Sequence, residues 1–97
     1  MDGALVYQWL GTCAGDRPGG SVWALRRYYG ALTAAGRCER VELFAPVVGG
    51  SVEAHLLVVR ADSARLTAIV AEAQATRLHR DAAEKLAGFC WSVHTVE

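Results

Sequence analysis

The chain has 97 residues, 53% of them hydrophobic, with ten basic side chains against ten acidic ones. That length allows one domain, 1–97, with a modest core, near the size at which association usefully adds buried area. The balanced charge excludes a field that would recruit nucleic acid or anionic membrane, since both need clustered positive charge. No apolar run approaches the roughly 20 residues of a membrane-spanning helix, and Met1-Asp2-Gly3 carries no basic leader. Three cysteines without CxxC spacing indicate neither a disulfide framework nor a zinc ribbon. A soluble, cytoplasmic protein is expected.

The first element is a strand, Ala4 to Leu10 (ALVYQWL), running to about Thr12. Gly15-Asp16-Arg17-Pro18-Gly19-Gly20 breaks it with a loop; this loop opens a helix but lacks the Lys-Ser/Thr ending of a phosphate loop, so it reads as a turn. Ser21 is the expected N-cap of a helix whose face is Val22, Leu25, Tyr29 and Leu32, and Gly36 ends it in the left-handed position. A second strand begins near Arg40 and runs through VELFAPVV to Val48. A tight turn at Gly49-Gly50 leads into a third, Ala54 to about Arg60. Asp62 or Ser63 caps the next helix, with Leu66, Ile69, Val70 and Ala73 on its apolar face. A break is expected at Ala75-Thr76, followed by a stripe of Leu78, Ala82, Leu86 and Phe89. Gly88 closes that segment, and Trp91 to Val96 alternates as a last strand.

The order is βαββαβ, an α+β split arrangement that sets the strands side by side as 4-1-3-2. Pro46 agrees with this, because a proline within a strand is tolerated at a sheet edge, where this topology places the second strand. The three apolar runs are hydrophobic at most positions of either parity, whereas a strand with one wet face alternates. Two helical segments cover only one face of such a sheet, so a second copy of the chain is the expected cover of the other. The predicted assembly is a homodimer paired through its sheet faces.

The run Ala35-Gly36-Arg37-Cys38-Glu39-Arg40-Val41-Glu42-Leu43-Phe44, the Gly49-Gly50 turn, the step Arg60-Ala61-Asp62-Ser63 and the broken second helix resemble the dimeric α/β-barrel superfamily of ferredoxin-like small proteins. The resemblance extends from Ala4 to Val96. It includes antibiotic-biosynthesis monooxygenases, polyketide cyclases, haem-degrading monooxygenases and stress-response proteins, so it implies a fold more than a reaction. What it implies for function is a cofactor-free tailoring enzyme of monooxygenase or cyclase type acting on an aromatic or polyketide-like, hydrophobic small molecule. The alternative is a non-catalytic binding or assembly protein.

The candidate catalytic residues are His94 and Gln8, expected to lie near each other when the first and last strands pair. A histidine titrating near pH 6.5 can act as a base at neutral pH, and Gln8 can orient a carbonyl or phenol. Tyr7, Trp9, Trp91 and Trp23 supply flat aromatic surfaces for the substrate; Trp23 lies off the helix stripe, at a pocket mouth or partner contact. Cys13, His55 and Cys90 gather at one end of the predicted sheet, where they read as ordinary buried residues, and no metal or cofactor is expected. Cys38 reads as a small core residue. His79, beside Arg80 and Asp81, reads as a solvated histidine on a helix surface where Asp81 and Lys85 form an i,i+4 pair.

Overall fold

The structure, a computed structural model, describes residues 1–11, 19–47 and 54–97. The elements are β1 (Asp2–Leu10), α1 (Ser21–Ala34), β2 (Arg40–Phe44), β3 (Ala54–Asp62), α2 (Ser63–Val70), α3 (Ala73–Lys85) and β4 (Cys90–Thr95). The strands form one antiparallel sheet in the order β2-β3-β1-β4, as the element order predicts. β2 is an edge strand, and Pro46 lies just beyond its end. The Gly49-Gly50 turn and most of the Gly15–Gly20 loop lie outside the described residues. Among the described residues, no helix is long and apolar enough to cross a membrane.

Local chemistry accounts for the helix ends. Gly20, in extended conformation, occupies the N-cap of α1, one residue before the expected Ser21. The Ser21 hydroxyl is instead drawn to the Asp81 carboxylate on α3, at 3.0 Å. At the other end Gly36 adopts φ +79°, and the N–H groups of Gly36 and Arg37 return to the carbonyls of Thr33 and Leu32 at 3.0 and 2.8 Å. This paired closure needs a residue that tolerates positive φ. Asp62 caps α2 as expected, accepting the Ala64 N–H at 3.1 Å, and its other oxygen accepts the N-terminal ammonium at 2.6 Å.

The helix break falls at Ala71–Glu72, four residues before the position expected from sequence. Ile69 and Ala75 are both buried but six residues apart, out of step with a helical repeat, so the chain must re-phase between them. Glu72 holds the N-cap of α3, and its carboxylate is gripped by Arg37 at 2.7 Å. Thr76, at the expected break, lies inside α3 and returns its hydroxyl to the Glu72 carbonyl at 3.2 Å.

All three helices lie on one face of the sheet. Leu5, Tyr7, Trp9, Leu57, Val59 and Ala61 from the strands are buried there against Val22, Leu25, Tyr29, Leu66, Ile69 and Ala82, and Cys38 joins this core. The opposite parity forms three rows across the open face: Phe44–Leu56–Gln8–Cys90, Glu42–Val58–Val6–Ser92 and Arg40–Arg60–Ala4–His94. Phe44 and Leu10 on this face are 46% and 38% exposed. The apolar character of both parities is thus resolved into a core face and an uncovered one.

Gly3 marks the closest approach of β1 to the start of α2. A Cβ built there would lie 2.7 Å from Ser63 Cα and 2.9 Å from its Cβ, and the Ser63 N–H donates to the Met1 carbonyl at 2.8 Å. Backbone cannot yield as a flexible side chain does. Gly3→Ala is therefore expected to destabilise the fold by about 1–3 kcal/mol, read as a lower urea midpoint with an unchanged m-value; an unaltered midpoint would show that α2 shifts freely.

Candidate functional site

Tyr7 lies in the middle of β1, a central strand, with its ring on the helix face and no exposed surface. A buried phenolic hydroxyl without a partner costs on the order of 1–3 kcal/mol. Two helices supply partners: Tyr29 of α1, whose hydroxyl lies 2.5 Å away, and His79 of α3, whose Nε2 lies 2.6 Å away. His79 reaches the sheet because Ala75 and Ala82, four residues before it and three after, share the inner face of α3 and are small. The Tyr7–His79 ring centroids are 5.2 Å apart, and Phe89 stacks on Tyr7 at 5.9 Å.

Burial raises the Tyr7 and Tyr29 phenols far above their ordinary range, so both stay protonated. Burial also lowers the His79 imidazole from its usual value, favouring the neutral ring. On its outer side His79 meets Trp91 of β4, ring centroids 4.8 Å apart. His79, Arg80, Ala83, Phe89, Cys90 and Trp91 line a cleft of about 440 Å³ between α3 and β4. Trp91 is 41% exposed there, while His79 retains only 9%. The three-ring hydrogen-bonded chain therefore runs from the core to the floor of an aromatic-walled cleft.

His79 is thus not the solvated surface residue expected from sequence. Its signal was the four-and-three spacing from Ala75 and Ala82, concealed by placing the helix break at Ala75-Thr76. The neighbouring Asp81–Lys85 pair does form, at 3.0 Å.

Gln8 and His94 share the open face but are not brought together. Gln8 stands opposite Cys90 and His94 opposite Ala4, four positions along β1, or about 13 Å at the usual rise. His94 Nε2 is 2.7 Å from the Ser92 hydroxyl, and both His94 and Gln8 are exposed. Tyr7 and Trp9 are fully buried, so neither presents a face to a substrate. Trp9 stacks on His55 at 5.8 Å, and Trp9 Nε1 and His55 Nδ1 are buried without hydrogen-bond partners among the described residues. Trp91 does line a cleft. Trp23 lines another of about 440 Å³ between α1 and α3, with Tyr28, Leu32 and Leu78, and carries the Arg27 guanidinium 5.2 Å above its ring. Cys13 lies outside the described residues. His55 and Cys90 occupy opposite faces of the sheet, so they do not converge on one ligand.

The lowered His79 value sets a direction for stability. In the acid limb the unfolded chain binds a proton that the folded chain resists, so stability rises with pH. The contribution is complete above about pH 6.5 and is lost as pH falls below that toward the lowered folded value. The thermal midpoint of the wild type should therefore drop between about pH 7.5 and 5.5 more steeply than that of His79→Gln, as measured by calorimetry; parallel profiles would show that His79 does not feel its burial.

No family model and no curated protein sequence matches the chain. Among solved structures it is similar to a dimeric protein of unknown function and ferredoxin-like fold from Bacteroides fragilis NCTC 9343. The TM-score is 0.55 at 11% identity, covering 98% of this chain and 96% of that one. Likeness over nearly the full length of both chains, with the observed strand order, makes the fold of this protein ferredoxin-like α+β.

Proposed function

We propose that the protein is a homodimer, paired through its open sheet faces, that binds a small aromatic molecule in the cleft between α3 and β4. The observation that carries the ligand site is the chain from Tyr29 through Tyr7 to His79, which delivers an almost buried imidazole to a cleft walled by Phe89 and Trp91. Binding pockets combine apolar and aromatic walls with a few placed polar groups, commonly within 300–1,000 Å³. The cleft of about 440 Å³ has that make-up. The cleft beside Trp23 has the same volume, but among the described residues no buried hydrogen-bonded chain ends in it.

Pairing is supported by the open face itself. Val6, Leu56 and Val58 form its centre, with Phe44 and Leu10 exposed beside them. An apolar patch of this kind on a small chain marks an association surface. The structurally similar Bacteroides fragilis protein is described as dimeric. Gln8 and His94 then belong to the subunit contact and not to the ligand site. Tailoring chemistry of monooxygenase or cyclase type on an aromatic or polyketide-like substrate would draw its acid or base from His79, the titratable group at the cleft. The cleft supports binding more directly than any reaction.

Two measurements test the parts separately. Sedimentation equilibrium is expected to give a dimer at micromolar concentration and a folded monomer for Val58→Glu; a monomeric wild type would remove the pairing. A neutral aromatic probe, p-cresol, is expected to perturb the NMR signals of His79, Phe89 and Trp91 in the wild type and to lose most of its affinity in Trp91→Ala. Shifts confined to the α1–α3 cleft would overturn the choice of site.

A further inference from the structure

The proton positions along Tyr29, Tyr7 and His79 follow from which groups have partners. Tyr29 is fully buried, and the Tyr7 oxygen, 2.5 Å away, is its hydroxyl's partner among the described residues. If that hydroxyl only accepted, its own proton would be sealed in the core without an acceptor. A buried donor left bare is rarer and costlier than a lone pair left bare. Tyr29 therefore donates to Tyr7. The Tyr7 oxygen already receives that proton, so its own hydrogen goes to the other neighbour, His79 Nε2, at 2.6 Å. A neutral imidazole whose Nε2 accepts carries its proton on Nδ1.

That nitrogen is the ring's remaining polar atom. The sealed side-chain nitrogens without partners among the described residues are Trp9 Nε1 and His55 Nδ1; His79 Nδ1 is not one of them, although no group of the described protein bonds to it. With Nε2 committed to Tyr7 in the core, the small exposure that His79 keeps at the cleft is assigned to the Nδ1 side of the ring. The cleft thus holds a hydrogen-bond donor at its floor, the partly exposed Trp91 as a wall, and Arg80 among its lining residues.

We infer that the ligand of this cleft is a planar aromatic acid, stacked on Trp91 with its carboxylate accepting from His79 Nδ1–H beside Arg80. This deepens the proposed binding role and rests on the cleft being the ligand site. An amine-bearing aromatic of the same size would set its donors against the imidazole N–H and its charge against Arg80, so the cleft discriminates by hydrogen-bond role as well as by charge. The core chain acts as the positioning device, because it dictates which imidazole nitrogen keeps the proton.

The test has two arms on the intact protein. Long-range nitrogen–proton correlation spectra of histidine-labelled protein, recorded without ligand, are expected to show His79 protonated at Nδ1 and bare at Nε2. Tyr7→Phe is expected to lose that preference. Protonation at Nε2 in the wild type overturns the inference whatever binds. In the second arm benzoate and benzylammonium are titrated against the wild type, followed through His79 and Trp91. Benzoate should bind about tenfold tighter, as a charge-assisted acceptor does, and Arg80→Gln should lower benzoate affinity about threefold. Equal affinities, or a preference for the amine, overturn the inference. Failure of p-cresol and benzoate alike at the cleft would instead bring down the binding site on which it rests, while the proton assignment is still decided by the first arm.

Discussion

A phenolic hydroxyl in the middle of a central strand has to find partners without water, and the architecture around Tyr7 meets that demand. The sheet cannot supply them, because its backbone groups are committed to the ladders with β3 and β4. The helices must, and two of them do, so the bonds to Tyr29 and His79 fix α1 and α3 over β1 in a way that apolar packing alone would not. Close-packed aliphatic contacts tolerate small sliding, whereas hydrogen bonds of 2.5 and 2.6 Å do not. The Ser21–Asp81 contact ties the same two helices again at the start of α1.

Placement of α3 then determines where the surface opens. α3 has to bring Ala75, His79 and Ala82 against the sheet, so its phase differs from that of α2, and the chain breaks at Ala71–Glu72 to re-aim it. The Arg37–Glu72 ion pair, exposed and worth little as energy, lies where it marks the break. With α3 so aimed, Trp91 on the edge strand β4 has His79 on one side and open solvent on the other. The cleft follows from a strand edge left beside a helix whose inner residues are small.

Much of this was legible in the amino-acid order. Apolar runs, the Asp62 cap, Gly36 and the βαββαβ succession identify the sheet and its strand order, because each rests on a local rule with little competition. The two-sided hydrophobicity of ALVYQWL and AHLLVV also announced an uncovered face, and Val6, Leu56 and Val58 occupy it. That same property hid which residue goes where. With both parities apolar, no period-2 pattern assigned Tyr7 and Trp9 to the core or Gln8 to the open face. Register was equally silent, since β4 is joined to β1 only by tertiary pairing, and the separation of His94 from Gln8 depends on that pairing. His79 was misread for a different reason. A histidine between Leu78 and Arg80 looks solvated until the helix phase is known, and the phase depends on the break at Ala71–Glu72, which the stripe of Leu78, Ala82, Leu86 and Phe89 does not locate.

β4 is where the two faces of the molecule meet. Trp91 and Val93 point toward the helices while Cys90, Ser92 and His94 point to the open face, on alternate residues of one six-residue strand. Among the described residues β4 pairs only with β1, so its position there rests on one ladder and on its side-chain neighbours. A group stacked on Trp91 bears on the same backbone that carries Ser92 and His94. Pairing through the open face would hold that backbone from the opposite side. In such a strand the filling of the cleft and the covering of the sheet act on one set of hydrogen bonds, those from Gly3–Thr95 to Gln8–Cys90. Tyr7, opposite Trp91 in that ladder, stands at the junction, with its backbone in the sheet and its hydroxyl in the chain that reaches His79.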